Sequence, residues 1–250
     1  METKEQVLQA CTIEGLVVKL PNVQLDRKLY QEVAKSLELI GGKWKGGKVQ
    51  GFVFVLDPTD LLDTISNGGK RNLKKEYQFF ATPSELAHEL VYYADLKNHD
   101  SVLEPSAGQG AIIEHINKVV PNVTPDCYEL MDVNRVMLAK KDLKYNLVGE
   151  DFLTCDKKYD KIIANPPFAK DQDIKHIQHM FKCLKKGGRL VSLATEKFYT
   201  NGDSDDKAQR YLIFEEWLDA VGAEVLHVEG GTFKESGTNV GACIIIINKK

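Results

Sequence analysis

From Thr82 onward, short aliphatic and β-branched runs alternate with segments whose apolar residues recur at helical spacing. The runs are Ser101–Leu103, Asp126–Glu129, Lys161–Ala164, Arg189–Leu193, Glu224–Val228 and Gly241–Asn248. Between the third and fourth, Ile174, Ile177, Phe181 and Leu184 fall 3, 4 and 3 apart, an amphipathic helix that Gly187-Gly188 is expected to end. Ser84 is placed to cap a helix running to about Leu96, and another helix spans Ala111 to about Val119. Strands that alternate with helices predict an α/β fold with a doubly wound parallel sheet. The last two runs stand too close together for a helix between them, so they are expected to pair antiparallel.

The residues before Thr82 follow a different pattern. Ile13–Leu20 reads as a strand, and Leu25, Leu29, Val33 and Leu37 mark a helix over Leu25–Leu39 that stops at Gly41-Gly42. Lys43–Val55 predicts a hairpin and Pro58–Ile65 a short helix. These elements make a small α+β unit, and Asn67–Glu76 is its linker. The expected division is therefore residues 1–76 and 77–250.

Composition excludes several alternatives. The longest apolar run, Ala242–Ile247, is far short of the roughly 18 residues a membrane helix needs. The first residues have neither a basic start nor an apolar core, so no signal peptide is read there and a cytoplasmic protein is expected. Five scattered cysteines without a C-x-x-C pair predict reduced, mostly buried thiols. The net charge of −3 hides an asymmetry, because residues 1–80 hold 12 Lys/Arg against 10 Asp/Glu and the remainder 21 against 26. Lys43, Lys45 and Lys48 surround Trp44, and Lys70, Arg71, Lys74 and Lys75 follow a glycine pair. Such clusters can neutralise phosphates or can simply be solvated, and both readings stand.

The segment Leu103 to Gly110, with Glu104, Pro105, Gly108 and Gly110, is a glycine-rich turn between strand and helix, where α/β sheets bind nucleotides. The dinucleotide fingerprint fails because Ile113 occupies its third glycine position. Gly42–Lys48 spells G-x-x-x-x-G-K, but Val49 and a strand follow, so it is rejected as a phosphate loop. Glu129 comes 21 residues after Gly108, at a strand end where an acid can accept both hydroxyls of a ribose. Asp151-Phe152 ends another strand; its carboxylate can accept from an adenine amino group while the ring covers the base.

Asn165-Pro166-Pro167-Phe168 follows the apolar run Ile162-Ile163. Consecutive prolines fix φ and remove two donors, so the turn presents carbonyls, one amide and an aromatic face. Two acceptors, Asn165 Oδ1 and the Pro166 carbonyl, suit the two hydrogens of an exocyclic amino group, and Phe168 suits its ring. His176 and His179 lie three apart on the next helix, but no nearby Cys or third His completes a metal site, and none is expected.

In this order the motifs resemble the S-adenosylmethionine-dependent DNA adenine-N6 methyltransferases, cofactor motifs first and catalytic motif second, over roughly Phe79 to Asn248. Phe80 to Pro83, with Thr82 and Pro83, looks like the family's first cofactor segment. Glu104 to Gly110 resembles its methionine loop, Glu129 its ribose acid and Asp151-Phe152 its adenine pair. Asn165 to Phe168 is similar to its catalytic tetrad, with Asn165 also beside the cofactor. Gly231-Thr232-Phe233 looks like the segment whose aromatic ring, Phe233, stacks on the far face of a flipped base. The resemblance implies a Rossmann-like methyltransferase sheet with an antiparallel last strand and transfer to adenine N6 in double-stranded DNA through a flipped-out base.

The tetrad is shared with enzymes that methylate RNA or a protein glutamine, so those substrates remain alternatives. A weakly active DNA-binding subunit of a modification complex is a third. Many family members carry a long recognition domain after the final strand, which this sequence lacks. Its reader of double-stranded DNA is then sought in residues 1–78, in the hydrophilic stretch Thr200–Arg210, or in a specificity or restriction partner subunit.

Overall fold

The computed structural model describes residues 1–73, 76, 81–196, 205–228 and 241–250. The chain divides into two compact units, Met1–Gln78 and Phe79–Lys250.

The first unit holds α1 (Lys4–Gln9), β1 (Thr12–Glu14), β2 (Val17–Lys19), α2 (Arg27–Leu39), β3 (Lys43–Lys45), β4 (Gly51–Val53) and α3 (Thr59–Ser66). Its sheet runs β1-β2-β4-β3, antiparallel throughout. The strand expected over Ile13–Leu20 is two strands, because Gly15 turns at φ 59° and folds β2 back on β1. Asp26 caps α2 through the N–H groups of Lys28 and Leu29. Val7, Leu8, Val18, Val33, Leu37, Phe52 and Ile65 form the core. Removing a side chain of this size from water contributes about 1.5 to 3 kcal/mol.

Among the described residues, the second unit is built on a seven-stranded sheet in the order β10-β11-β9-β8-β5-β6-β7. The strands are β5 (Val102–Glu104), β6 (Asp126–Tyr128), β7 (Asn146–Gly149), β8 (Tyr159–Ala164), β9 (Leu184–Thr195), β10 (Glu224–His227) and β11 (Ala242–Asn248). The five from β9 to β7 are parallel. As the sequence predicts, β10 and β11 pair antiparallel, and β11 is also antiparallel to β9.

Helices cover both faces. Alternate residues of the strands split between them: Leu103, Ile162 and Ile245 pack with Ile177, Met180, Phe214 and Leu218 of α7 (Gln172–Lys182) and α8 (Asp205–Ala220). Val102, Ile163 and Ile244 pack with Leu86, Leu90, Ile112 and Ile116 of α4 (Ser84–Ala94) and α5 (Ala111–Val119). Leu138 of α6 (Asp132–Ala139) closes a smaller cluster with Ile113 and Cys127. Four cysteines are buried, Cys11 is half-buried, and all five are free thiols. No helix among the described residues is long and apolar enough to cross a membrane.

Three local expectations fail. Gly187-Gly188 does not end α7; the helix stops at Lys182 and both glycines lie inside β9, where the Gly187 N–H donates to the Lys249 carbonyl. Ser84 does not cap α4, whose N-cap is Pro83; the Ser84 hydroxyl bonds instead to His115 Nε2 at 3.0 Å. β7 stops at Gly149, so Asp151 caps a following 3₁₀ turn rather than ending a strand.

At the amino ends of the parallel strands the charges are closely paired. Asp126 Oδ2 accepts from Lys157 Nζ at 2.6 Å and from the Tyr159 hydroxyl at 2.9 Å, and Oδ1 accepts from Asn146 at 3.1 Å. Asp160 Oδ2 accepts from the Ser101 N–H, the Ser101 hydroxyl and Lys185 Nζ, all within 2.9 Å.

Candidate active site

The glycine turn leaves β5 at Glu104 and enters α5 after Gly110. Gly108 and Gly110 sit at φ 55° and 82°, the left-handed region that favours glycine. A Cβ on Gly110 would also lie 2.5 Å from Leu138 Cδ1, so the side chain from α6 would have to shift.

Glu129 holds this turn directly. Its Oε2 accepts from the Gly108 N–H at 2.6 Å, and Oε1 accepts from the Met131 N–H at 2.7 Å and from Asn134 Nδ2 at 3.3 Å. A carboxylate offers about four acceptor positions, so capacity for a ligand hydroxyl remains. Sequence reasoning missed Asn134 and Gln109, although an asparagine in the first turn after the β6 acid is a usable signal. Gln109 Nε2 donates to Asn134 Oδ1 at 3.2 Å, and Asn134 is 2% exposed.

Glu104 is in the opposite condition. It is 1% exposed and its Oε2 has no hydrogen-bond partner. Burial, reinforced by the Glu129 charge and only partly offset by the Ile113 N–H, pushes its carboxyl well above the usual carboxylate range. A buried acid in this state favours a cationic ligand.

Asp151 is exposed, and its Oδ1 accepts the Leu153 N–H at 2.9 Å. Phe152 is 2% exposed, with its ring against Tyr128 at 5.8 Å and His179 at 4.9 Å between centroids. Its ring therefore belongs to the core beneath the site. His179 Nε2 donates to the Cys155 carbonyl at 3.0 Å, and burial lowers the His176 pKa to about 4. Both histidines thus serve the packing around Phe152.

Asn165 follows Ala164, the last residue of β8, on the strand beside β5. Its Nδ2 donates to the Thr82 hydroxyl at 2.9 Å. Pro166 is buried, Pro167 half-buried, and Phe168 packs partly against the face made by Leu86, Leu90 and Ile163. The structure thus brings Glu104, Pro105, Gly108, Gly110, Glu129, Asp151 and Asn165 to the carboxyl ends of adjacent parallel strands, with Thr82 and Pro83 tied in through Asn165. Phe233 lies outside the described residues, as do Phe80 and the segment Gly231–Thr232.

Residues 87–202 are matched by the model of the methyltransferase small domain family. The chain is 28% identical over 156 residues to the modification methylase CviBIII of Paramecium bursaria Chlorella virus NC1A, covering 53% of this chain but 40% of that protein. It is 28% identical over 191 residues to ribosomal RNA small subunit methyltransferase A of Hydrogenobaculum sp. (strain Y04AAS1), covering 69% of this chain and 68% of that one. The M protein of the type I restriction enzyme EcoKI shares the fold, with a TM-score of 0.55 at 13% identity, over 90% of this chain and 55% of that one.

The cofactor is S-adenosylmethionine, and the residues present fit it. It carries an ammonium and a sulfonium, for which Glu104 supplies a buried carboxyl oxygen with no other partner. Left-handed glycines bring the backbone close, and Glu129 retains acceptor capacity beside them.

Proposed function

We propose that the protein transfers a methyl group to the N6 amino group of adenine in DNA, acting on a base turned out of the helix. The observation that carries this reading is the placement of Asn165-Pro166-Pro167-Phe168 at the carboxyl end of β8, next to the β5 strand end that bears Glu104 and the glycine turn. The relative named a modification methylase supports DNA as the polymer.

When bound, the cofactor supplies an electrophilic methyl carbon. Glu104, the Gly108–Gly110 turn and Glu129 would hold it by its cationic and ribose groups, Asp151 would accept from its adenine, and Thr82-Pro83 would flank its methionine end. Asn165 Oδ1 and the Pro166 carbonyl accept the two N6 hydrogens and stabilise the positive charge that develops as nitrogen attacks. Those dipoles are in place beforehand, so no base removes a proton first. Phe168 covers one face of the base and Phe233 the other.

Residues 1–76 contribute contacts to duplex DNA. Lys43, Trp44 and Lys45 lie exposed on β3, the edge strand of its sheet, which supports that role. A partner subunit completes recognition of the target sequence.

A second reading, methylation of RNA, draws on the ribosomal RNA methyltransferase relative. Tritium transfer from labelled S-adenosylmethionine to duplex DNA and to ribosomal RNA, followed by nucleoside analysis, separates the two. Label on N6-methyladenine of DNA is expected, and Asn165→Ala should cost a hundredfold or more in single-turnover rate while leaving S-adenosylhomocysteine affinity intact. Label on RNA alone, or parental rate in the alanine variant, overturns this assignment.

A further inference from the structure

The bond from Asn165 to Thr82 joins two segments separated by 83 residues. Neither end is loose. Thr82 precedes Pro83, the N-cap of α4, and Pro83 accepts the Ala87 N–H at 2.9 Å; Leu86, Ala87, Leu90 and Val91 then anchor that helix with 2% exposure or less. Asn165 follows Ala164, which is fully buried in β8. The hydroxyl and the amide are thus set by two packed elements, α4 and the strand β8 whose Ile163 shares a core with it.

We propose that Thr82 is a positioning residue for the transfer reaction, its hydroxyl holding the Asn165 amide so that the oxygen end receives the target amino group. This inference rests on the reading of Asn165 given above and assigns Thr82 a task distinct from contacting the cofactor. The two ends of an asparagine amide have nearly the same shape but opposite hydrogen-bonding character. An amide that turns over sets its NH2 group against the NH2 of the target, donor against donor. The torsion that turns the amide is broad and shallow when nothing restrains it. Committing Nδ2 to Thr82 fixes the amide plane before substrate arrives, and a preorganised dipole loses nothing to reorientation during the reaction. A hydroxyl both accepts and donates, so Thr82 can accept from Asn165 and still give its hydrogen to another acceptor.

The test compares Thr82→Val, which keeps the shape and removes the hydroxyl, with Thr82→Ser, which restores it. Thr82→Ala runs in parallel, so that a packing fault in the valine variant leaves a second hydroxyl-free protein to measure. The full-length chain is assayed for single-turnover transfer of tritium from saturating labelled S-adenosylmethionine to unmethylated genomic duplex DNA, and for S-adenosylhomocysteine affinity by calorimetry.

Loss of one neutral hydrogen bond predicts a rate at saturating cofactor about tenfold lower in Thr82→Val and Thr82→Ala, whatever the lost hydroxyl costs in affinity. Thr82→Ser should recover most of the rate. In an Asn165→Ala background, Thr82→Val should cost nothing more, because the group it positions is gone. Parental rate in the valine and alanine variants, with Asn165→Ala inactive, overturns the proposal and leaves the reading of Asn165 standing. Weakened affinity with an unchanged saturating rate overturns it too, and makes Thr82 a cofactor contact only. Parental rate in Asn165→Ala overturns the reading itself.

Discussion

The two edges of the parallel sheet treat their acids in opposite ways. At the amino ends of the strands, Asp126 and Asp160 are each met by three donors from neighbouring strands and loops. At the carboxyl ends, Glu104 is more deeply buried than either, yet one of its oxygens has no partner. The contrast separates two tasks within one sheet. Acids at one edge tie the strands together, whereas an acid at the other is kept in an unfavourable state that a cationic ligand relieves.

The largest effect that would break this comparison concerns Glu104. Its folded pKa is raised, so its contribution to stability is complete below about pH 4.3 and is lost as pH rises through the folded value. Glu104→Gln should therefore melt higher than the parent without ligand, with a gap that widens from pH 4 toward pH 8. The same variant should bind S-adenosylhomocysteine about 10 to 100 times more weakly, through loss of a charge-assisted contact. Melting curves with and without ligand read both effects. A glutamine variant less stable at every pH would mean that Glu104 is structural, like the acids of the opposite edge.

Asp126 should behave in reverse. Burial pushes its carboxyl up, but the bonds from Lys157, Asn146 and Tyr159 outweigh burial and leave it below its ordinary value. Asp126→Asn should lower stability by about 1 to 3 kcal/mol in urea titrations at pH 7, with ligand affinity unchanged. That stability is present above about pH 3.9 and disappears as pH falls through the lowered folded value. The smallest effect belongs to Asp160, which is more exposed. Burial raises its pKa, and the bonds from Lys185 and Ser101 bring it down to about 2. Asp160→Asn should lower the melting temperature by less than Asp126→Asn does, and the difference should vanish between about pH 4 and pH 2.

Much of the second unit is legible in its sequence because local pattern and packing agree there. Ala111–Val119 is helical as its spacing predicts, and the isoleucine run Ile244–Ile247 is a strand buried on both faces. The errors arise where one residue type serves two purposes. Gly187-Gly188 reads as a helix stop, but glycine also suits a strand where backbones approach closely; a Cβ on Gly188 would lie 2.8 Å from the Asp160 carbonyl. Gly15 hides a hairpin inside an apparent single strand for a similar reason. At the site, the spacing of Glu129 from Gly108 was visible, while its direct bond to the Gly108 N–H was not. Nothing local in Thr82 announces Asn165, because only the folded sheet brings them together.

The position of β11 bears on how the chain is made. It is the last of the described strands in sequence, yet it lies between β10 and β9 rather than at the rim. During synthesis β9 and β10 emerge before residues 242–248, the described strand that joins them. A chain stalled or clipped before that point exposes one long strand edge and frees a second, the geometry that invites association with another chain. The seven residues of β11 thus decide whether the sheet closes on itself or recruits a stranger.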